Sequence, residues 1–225
     1  MDIANEKQSF FSGWVEFQTE KEVIDEFYNT IQTNDYEVFW DVGAYRGLYT
    51  LIASETIPFT YAFEPAPIPR QNLHENCSHF DITNYKTITT PLFNKTEQQE
   101  LTIDTTSGSR TFIKGTSTLP ERDTSKTVTK LVKRPDELIK TTTISPPDIL
   151  KIDIEGAEFE VLNGFGDYLQ NISTIFVEIH LSKKKNNSVS EYLESNGFSI
   201  TTLLTRKQSD EDYQKFIKAE NTNSS

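Results

Sequence analysis

Short apolar runs recur along the chain, each separated from the next by a segment with helical spacing. Val38-Phe39-Trp40 runs into Asp41, Phe59-Thr60-Tyr61-Ala62-Phe63 runs into Glu64, and Asp148 to Asp153 and Thr174 to His180 follow the same design. Runs this short, rich in aromatic and β-branched residues, predict buried parallel strands. Between them the spacing changes. Val23, Ile24, Phe27, Tyr28 and Ile31 fall on one face of a helix over Glu20–Gln32, and Leu48–Glu55, Ile68–Asn76, Phe159–Tyr168 and Ser190–Asn196 predict further helices. Tyr85–Leu92, Phe198–Leu204 and Tyr213–Ala219 predict the remaining strands, and the tail from Asn221 is expected to fray. Strands alternating with helices predict a doubly wound α/β sheet. Residues 96–132 break the rhythm. They are rich in Thr and Ser, with strand candidates at Glu100–Asp104, Arg110–Lys114 and Thr127–Val132. Apolar residues persist there at alternate positions, which predicts a β-hairpin insertion or flap rather than a linker. One domain over 1–225 is expected, with residues 1–34 as a helical cover packed on the sheet through Phe10, Phe11, Trp14, Val15 and Phe17.

The first strand carries the most chemistry. It leads into Asp41-Val42-Gly43-Ala44-Tyr45-Arg46-Gly47. A glycine turn between a strand and a helix is where nucleotide-like cofactors bind in such sheets. A dinucleotide turn offers bare backbone N–H groups to a pyrophosphate through G-x-G-x-x-G. Here the glycines are spaced G-x-x-x-G, and an acid precedes the first by two residues. A carboxylate aimed into the turn repels a pyrophosphate and attracts an ammonium, which favours S-adenosylmethionine over NAD. The plainer reading is a turn whose acid caps the next helix. Glu64, at the end of the second strand and followed by Pro65, stands where an acid accepts ribose hydroxyls.

Three motifs stand in order: Asp41 to Gly47; Phe63-Glu64-Pro65 with Asn72-Leu73-His74-Glu75-Asn76; and Lys151-Ile152-Asp153-Ile154-Glu155-Gly156-Ala157-Glu158 with Val177-Glu178-Ile179-His180. Over residues 35–182 the chain resembles the FkbM-type S-adenosylmethionine-dependent methyltransferases. The resemblance implies a class I methyltransferase fold, Rossmann-like and mostly parallel, with a terminal antiparallel hairpin. It also implies O-methylation of a sugar, glycan or other small hydroxylated acceptor. Tyr45 stands where the family usually carries Asn. The cofactor contacts expected are Asp41, Gly43, Ala44, Tyr45, Gly47, Glu64 and Pro65.

Methyl transfer to a hydroxyl needs an oriented acceptor, an excluded solvent and a proton acceptor. Asp153 ends the fourth strand and is the first choice for that group, with a helix cap as its plain alternative. His180, at the end of the fifth strand, is read as a neutral imidazole able to take a proton. Glu155, a candidate catalytic acid, is left open between binding the acceptor or a divalent metal and favouring a helix start, and Glu158, three residues on, is read as a charge favouring that start. No spacing demands a metal. On the residues alone two alternatives stay open: a cofactor-binding partner subunit without activity, and an NAD-dependent oxidoreductase, which the glycine spacing disfavours.

Composition narrows the partners. With 22 Lys plus Arg against 34 Asp plus Glu, the net charge is −12. That argues against nucleic acid, whose phosphates need clustered cations. Lys183-Lys184-Lys185 is the one basic run, and it could attract an anionic acceptor. The single cysteine, Cys77, rules out an internal disulfide. The polar stretch Met1 to Ser12 predicts no secretory leader, and no apolar run reaches the ~20 residues of a membrane span. A cytoplasmic location is expected.

Overall fold

The computed structural model describes residues 10–106, 111–117, 123–182, 188–207 and 212–223. The main sheet has seven strands in the order β3-β2-β1-β7-β8-β10-β9. They are β1 (Val38–Val42), β2 (Phe59–Phe63), β3 (Tyr85–Ile88), β7 (Ile149–Ile152), β8 (Thr174–Ser182), β9 (Phe198–Lys207) and β10 (Asp212–Asn221). β3, β2, β1, β7 and β8 are parallel, and β10 runs antiparallel to both β8 and β9. This is the class I methyltransferase architecture, and its reversal of order at β1 and β7 opens a crevice at the strands' carboxyl ends.

Alternation along β1 sends its side chains to two cores. Phe39 faces the helices Lys21–Thr33 and Leu48–Ala53, where Phe27 lies 5.2 Å from it and 5.3 Å from Phe176 between ring centres. Trp40 faces the other way, 4.8 Å from Phe63 and 5.5 Å from Phe165. All six rings are fully or nearly fully buried, and each stabilises the fold by about 1.5–3 kcal/mol. Asp148 fixes the register of the central pair. Its Oδ2 accepts from the backbone N–H groups of Glu37 and Val38, both at 2.9 Å.

Among the described residues of 97–132 there are three strands rather than the two of a hairpin: β4 (Glu97–Asp104) lies between β5 (Thr111–Ile113) and β6 (Ser125–Val132), both antiparallel to it. Leu101, Ile103, Ile113 and Val132 give this sheet an apolar face that packs on Ala66. Lys130 Nζ donates to Pro65 O at 3.0 Å, which ties it to the end of β2. Two further boundaries move. β3 stops at Ile88, and the helix after β7 is Glu158–Gly164, followed by a 3-10 turn over Gly166–Asn171. Asn221 does not fray. It is buried, and its Nδ2 donates to Gln170 O at 2.9 Å and Ile172 O at 3.2 Å. The Lys183–Lys185 run lies outside the described residues.

Candidate active site

A cavity of about 280 Å³ opens at the carboxyl ends of β1, β2, β7 and β8. Gly43, Tyr45, Glu64, Pro65, Asp153, Glu155 and His180 are in its wall, and β5 supplies Thr111, Phe112 and Ile113. The small sheet therefore closes one side of the site. A smaller cavity adjoins it between Trp14, Ala44, Arg46 and Tyr49, and shares Glu20, Gly43, Tyr45 and Asp153 with the first.

The glycine turn is set by its close approach to β7. Gly43 has φ +80°, and a Cβ there would lie 1.9 Å from Asp153 O. Its N–H donates to Phe63 O at 3.0 Å, so the turn is wedged between the ends of β2 and β7. Glu64 closes the turn from the other side. Its Oε2 accepts from Tyr45 N–H at 3.0 Å and its Oε1 from Ala66 N–H at 2.8 Å. Burial raises the Glu64 carboxyl to about 7 in spite of those two donors.

Two expected contacts are set back from the cavity. Asp41 is fully buried, and its Oδ2 accepts from Thr50 N–H at 3.1 Å and Thr50 Oγ1 at 2.7 Å. The carboxylate caps the helix after the turn instead of facing the turn's interior. Gly47 is in neither cavity wall. It precedes that helix, against Leu73.

Lys151 was not singled out by its sequence context, and it organises the floor. Its Nζ donates to Gly43 O at 3.1 Å and Asp153 at 3.2 Å, and lies 3.5 Å from Asp41 Oδ1 and 4.9 Å from the centre of the Tyr49 ring. Burial would push the ammonium down, but Asp153 and Asp41 outweigh it and hold it above its ordinary value. The signal for it was present: a lysine inside the apolar run Ile149-Leu150-Lys151-Ile152 must find an opposite charge where it is buried.

Asp153 is deep in the site with a third of its side chain facing the cavity. Burial opposes its charge, yet Lys151 and a hydrogen bond from Glu178 hold its carboxyl below the usual range. Glu178 is the reverse case: burial and the charge of Asp153 push it well up, so it carries the proton of that pair. His180 corrects the reading of a neutral imidazole. Its Nδ1 is 2.6 Å from Glu158 Oε1, and its Nε2 is 3.5 Å from Glu155 Oε2 and 3.8 Å from Glu178 Oε1. Burial favours the neutral ring, but Glu158 first and then Glu155 raise it to about 9. The acids around the ring favour the imidazolium over the neutral form. Glu158 also accepts from Gly156 N–H at 3.0 Å, so this helix-start acid ties the turn before its helix to His180. Among the described residues, Asp153, Glu178 and His180 each bring a ligand atom within 4.8 Å of the others, a spacing a divalent cation could bridge.

The comparisons with known proteins agree with this geometry. The methyltransferase FkbM domain family matches residues 41–200. A hexuronic acid methyltransferase of Haloferax volcanii is 28% identical over 187 residues, 81% of this chain and 71% of that protein. Among solved structures, a precorrin-6y C5,15-methyltransferase of Geobacter metallireducens has a TM-score of 0.56 at 15% identity, covering 91% of this chain and 90% of that one. The FkbM methyltransferase of Methylobacillus flagellatus has a TM-score of 0.54 at 16% identity, over 81% of this chain and 44% of that one.

Proposed function

This chain belongs to the FkbM methyltransferase family, and on that footing we propose that it transfers a methyl group from S-adenosylmethionine to a hydroxyl of a sugar, glycan or other small acceptor. The observation that carries the cofactor reading is Glu64, a buried carboxylate held by two backbone N–H groups in the wall of the cavity beside Gly43 and Tyr45. Each of its oxygens keeps a lone pair for a ribose hydroxyl. The rest of the wall suits the same molecule. Phe63, Leu92, Leu101 and Phe112 offer apolar surface for a purine, and the acids suit a positive sulfonium. Bound there, the cofactor supplies a methyl group already activated by positive sulfur.

The chain then has to orient the acceptor and receive its proton. Asp153 is ionised and faces the cavity, so its carboxylate accepts the hydrogen bond of the attacking hydroxyl and directs the oxygen. Glu155 flanks it and offers a second acceptor to a neighbouring hydroxyl. His180, as a cation, keeps Glu155 and Glu158 in position. The named Haloferax relative supports a sugar as acceptor. Among the described residues no helix is long and apolar enough to cross a membrane.

The test is calorimetric titration with S-adenosylmethionine, its demethylated product and NAD, followed by mass-spectrometric detection of methylated product across a panel of free and nucleotide-linked sugars. Binding of the first two ligands with a mass gain of one methyl group on a sugar is the expected result. Binding of NAD alone would overturn the reading.

A further inference from the structure

S-adenosylmethionine ends in an amino acid, a zwitterion with an ammonium and a carboxylate on one carbon. The acid expected to take the ammonium, Asp41, is committed to Thr50 and Lys151. Two opposite charges elsewhere in the wall match a zwitterion. Glu20 stands just before the helix Lys21–Thr33, is 8% exposed, and is in the walls of both the main and the small cavity. Arg206 comes from β9 and is in the main wall, with its Nη1 3.5 Å from Glu20 Oε1. That separation is long for a charge-assisted hydrogen bond, whose partners usually sit about 2.7–2.9 Å apart. This one contact can therefore open in favour of shorter ones to a ligand.

The other cations near the site are already engaged. The guanidinium of Arg46 is stacked over Trp14, 4.4 Å from the ring centre, and lies 5.1 Å from that of Tyr45. Lys151 is enclosed by Asp41, Asp153 and Gly43 O. Arg206 is anchored by Thr19 O through Nη2 and lies over the Phe216 ring, so the guanidinium is aimed while Nη1 faces Glu20.

We infer that Glu20 and Arg206 form the receptor for the amino-acid end of the cofactor, Glu20 taking the ammonium and Arg206 the carboxylate. The inference rests on the cofactor reading above. Both residues are outside the 41–200 segment matched by the family, and the N-terminal segment and β9 thereby become parts of the cofactor site.

The experiment compares two ligands that differ only at that end: S-adenosylhomocysteine and 5′-methylthioadenosine, which has the adenosine and sulfur but no amino acid. Dissociation constants are measured by calorimetry for the full chain and for Glu20→Gln and Arg206→Gln. Each variant should weaken S-adenosylhomocysteine about tenfold or more, the scale of one lost charged hydrogen bond, and leave methylthioadenosine within about twofold. Equal weakening of both ligands in both variants would mean that the pair only ties the N-terminal segment to β9, and would overturn the inference. Unchanged binding of S-adenosylhomocysteine would overturn it too. If the unaltered chain binds neither ligand, the cofactor reading fails and this inference fails with it. If it binds both and only the variants behave otherwise than expected, the inference alone falls.

Discussion

Gly43→Ala isolates a steric effect from a conformational one, because Gly115 supplies the control. Gly43 and Gly115 have φ of +80° and +89°, so alanine at either meets the same left-handed strain, about 1–2 kcal/mol. Their surroundings differ. Nothing lies within 4 Å of a Cβ built on Gly115. On Gly43 it would meet Asp153 O at 1.9 Å, Asp153 C at 2.8 Å and Ile154 Cγ2 at 3.1 Å. The carbonyl would have to retreat by about 1.5 Å to ordinary contact. It cannot do so alone, since Asp153 N–H donates to Val42 O at 2.9 Å and Gly43 N–H to Phe63 O at 3.0 Å. Losing those two bonds costs about 1 kcal/mol each. Gly43→Ala should therefore destabilise the chain by about 3–4 kcal/mol, against about 1–2 for Gly115→Ala. Urea denaturation of the two variants measures the difference, and calorimetry with S-adenosylhomocysteine should find binding lost only in Gly43→Ala. Stabilities within about 0.5 kcal/mol of each other would refute the claim that the turn is locked against β7.

Lys151→Met leaves Asp41 and Asp153 without their shared cation and should cost about 3–5 kcal/mol in urea denaturation, with part of the loss recovered in Asp41→Asn/Lys151→Met. A cost under about 1 kcal/mol would mean the pair is not electrostatically coupled. Glu64 is raised from 4.5 to about 7 in the folded chain, so its contribution is fully present below pH 4.5 and is lost as the pH rises through 7. This term is worth about 3 kcal/mol and should vanish from the stability–pH curve of Glu64→Gln. His180, raised from 6.5 to about 9, stabilises fully below pH 6.5 and loses that contribution as the pH rises through 9. With three histidines in the chain, NMR titration with His180→Gln as the assignment control should find one midpoint near 9. Glu158→Gln should lower it by about one unit or more, and an unmoved midpoint would remove Glu158 as the cause.

The sheet was legible because its strands are buried on both faces and so read as continuous apolar runs. The glycine turn and Glu64 were legible because they are local: Tyr45 and Glu64 meet within nineteen residues of chain. The terminal strands are only weakly marked in the sequence, and their antiparallel pairing is implied by the family resemblance rather than by any pattern; Asn221 is ordered against expectation because the carbonyls that hold it, at Gln170 and Ile172, are remote in sequence. The roles of Asp41 and His180 were not legible for a related reason. A carboxylate's direction depends on its neighbours across the sheet, and Asp41 meets Thr50 and Lys151 there. An imidazole's charge depends on the acids packed around it, and Glu155 and Glu158 come from another loop and helix. Nor does any local pattern connect Glu20 with Arg206, 186 residues apart.

The distribution of charge gives the site its direction. Glu20, Glu64, Asp153, Glu155 and Glu178 all share the cavity wall, and two of the cations near them are held by acids, Lys151 by Asp41 and Asp153 and His180 by Glu158 and Glu155, while Arg206 meets Glu20 only at 3.5 Å. Two of the acids lower that negative surplus by holding protons, since burial raises both Glu64 and Glu178. A positively charged ligand reverses the cost. Its approach lets those carboxyls ionise and strengthens every acid contact in a place where water screens little. Binding of a sulfonium cofactor should therefore release protons, and the same acidic wall disfavours a pyrophosphate. The acid before the first glycine suggested that preference from one residue. In the folded chain the preference belongs to the whole wall, with Asp41 contributing through the helix and lysine it holds in position.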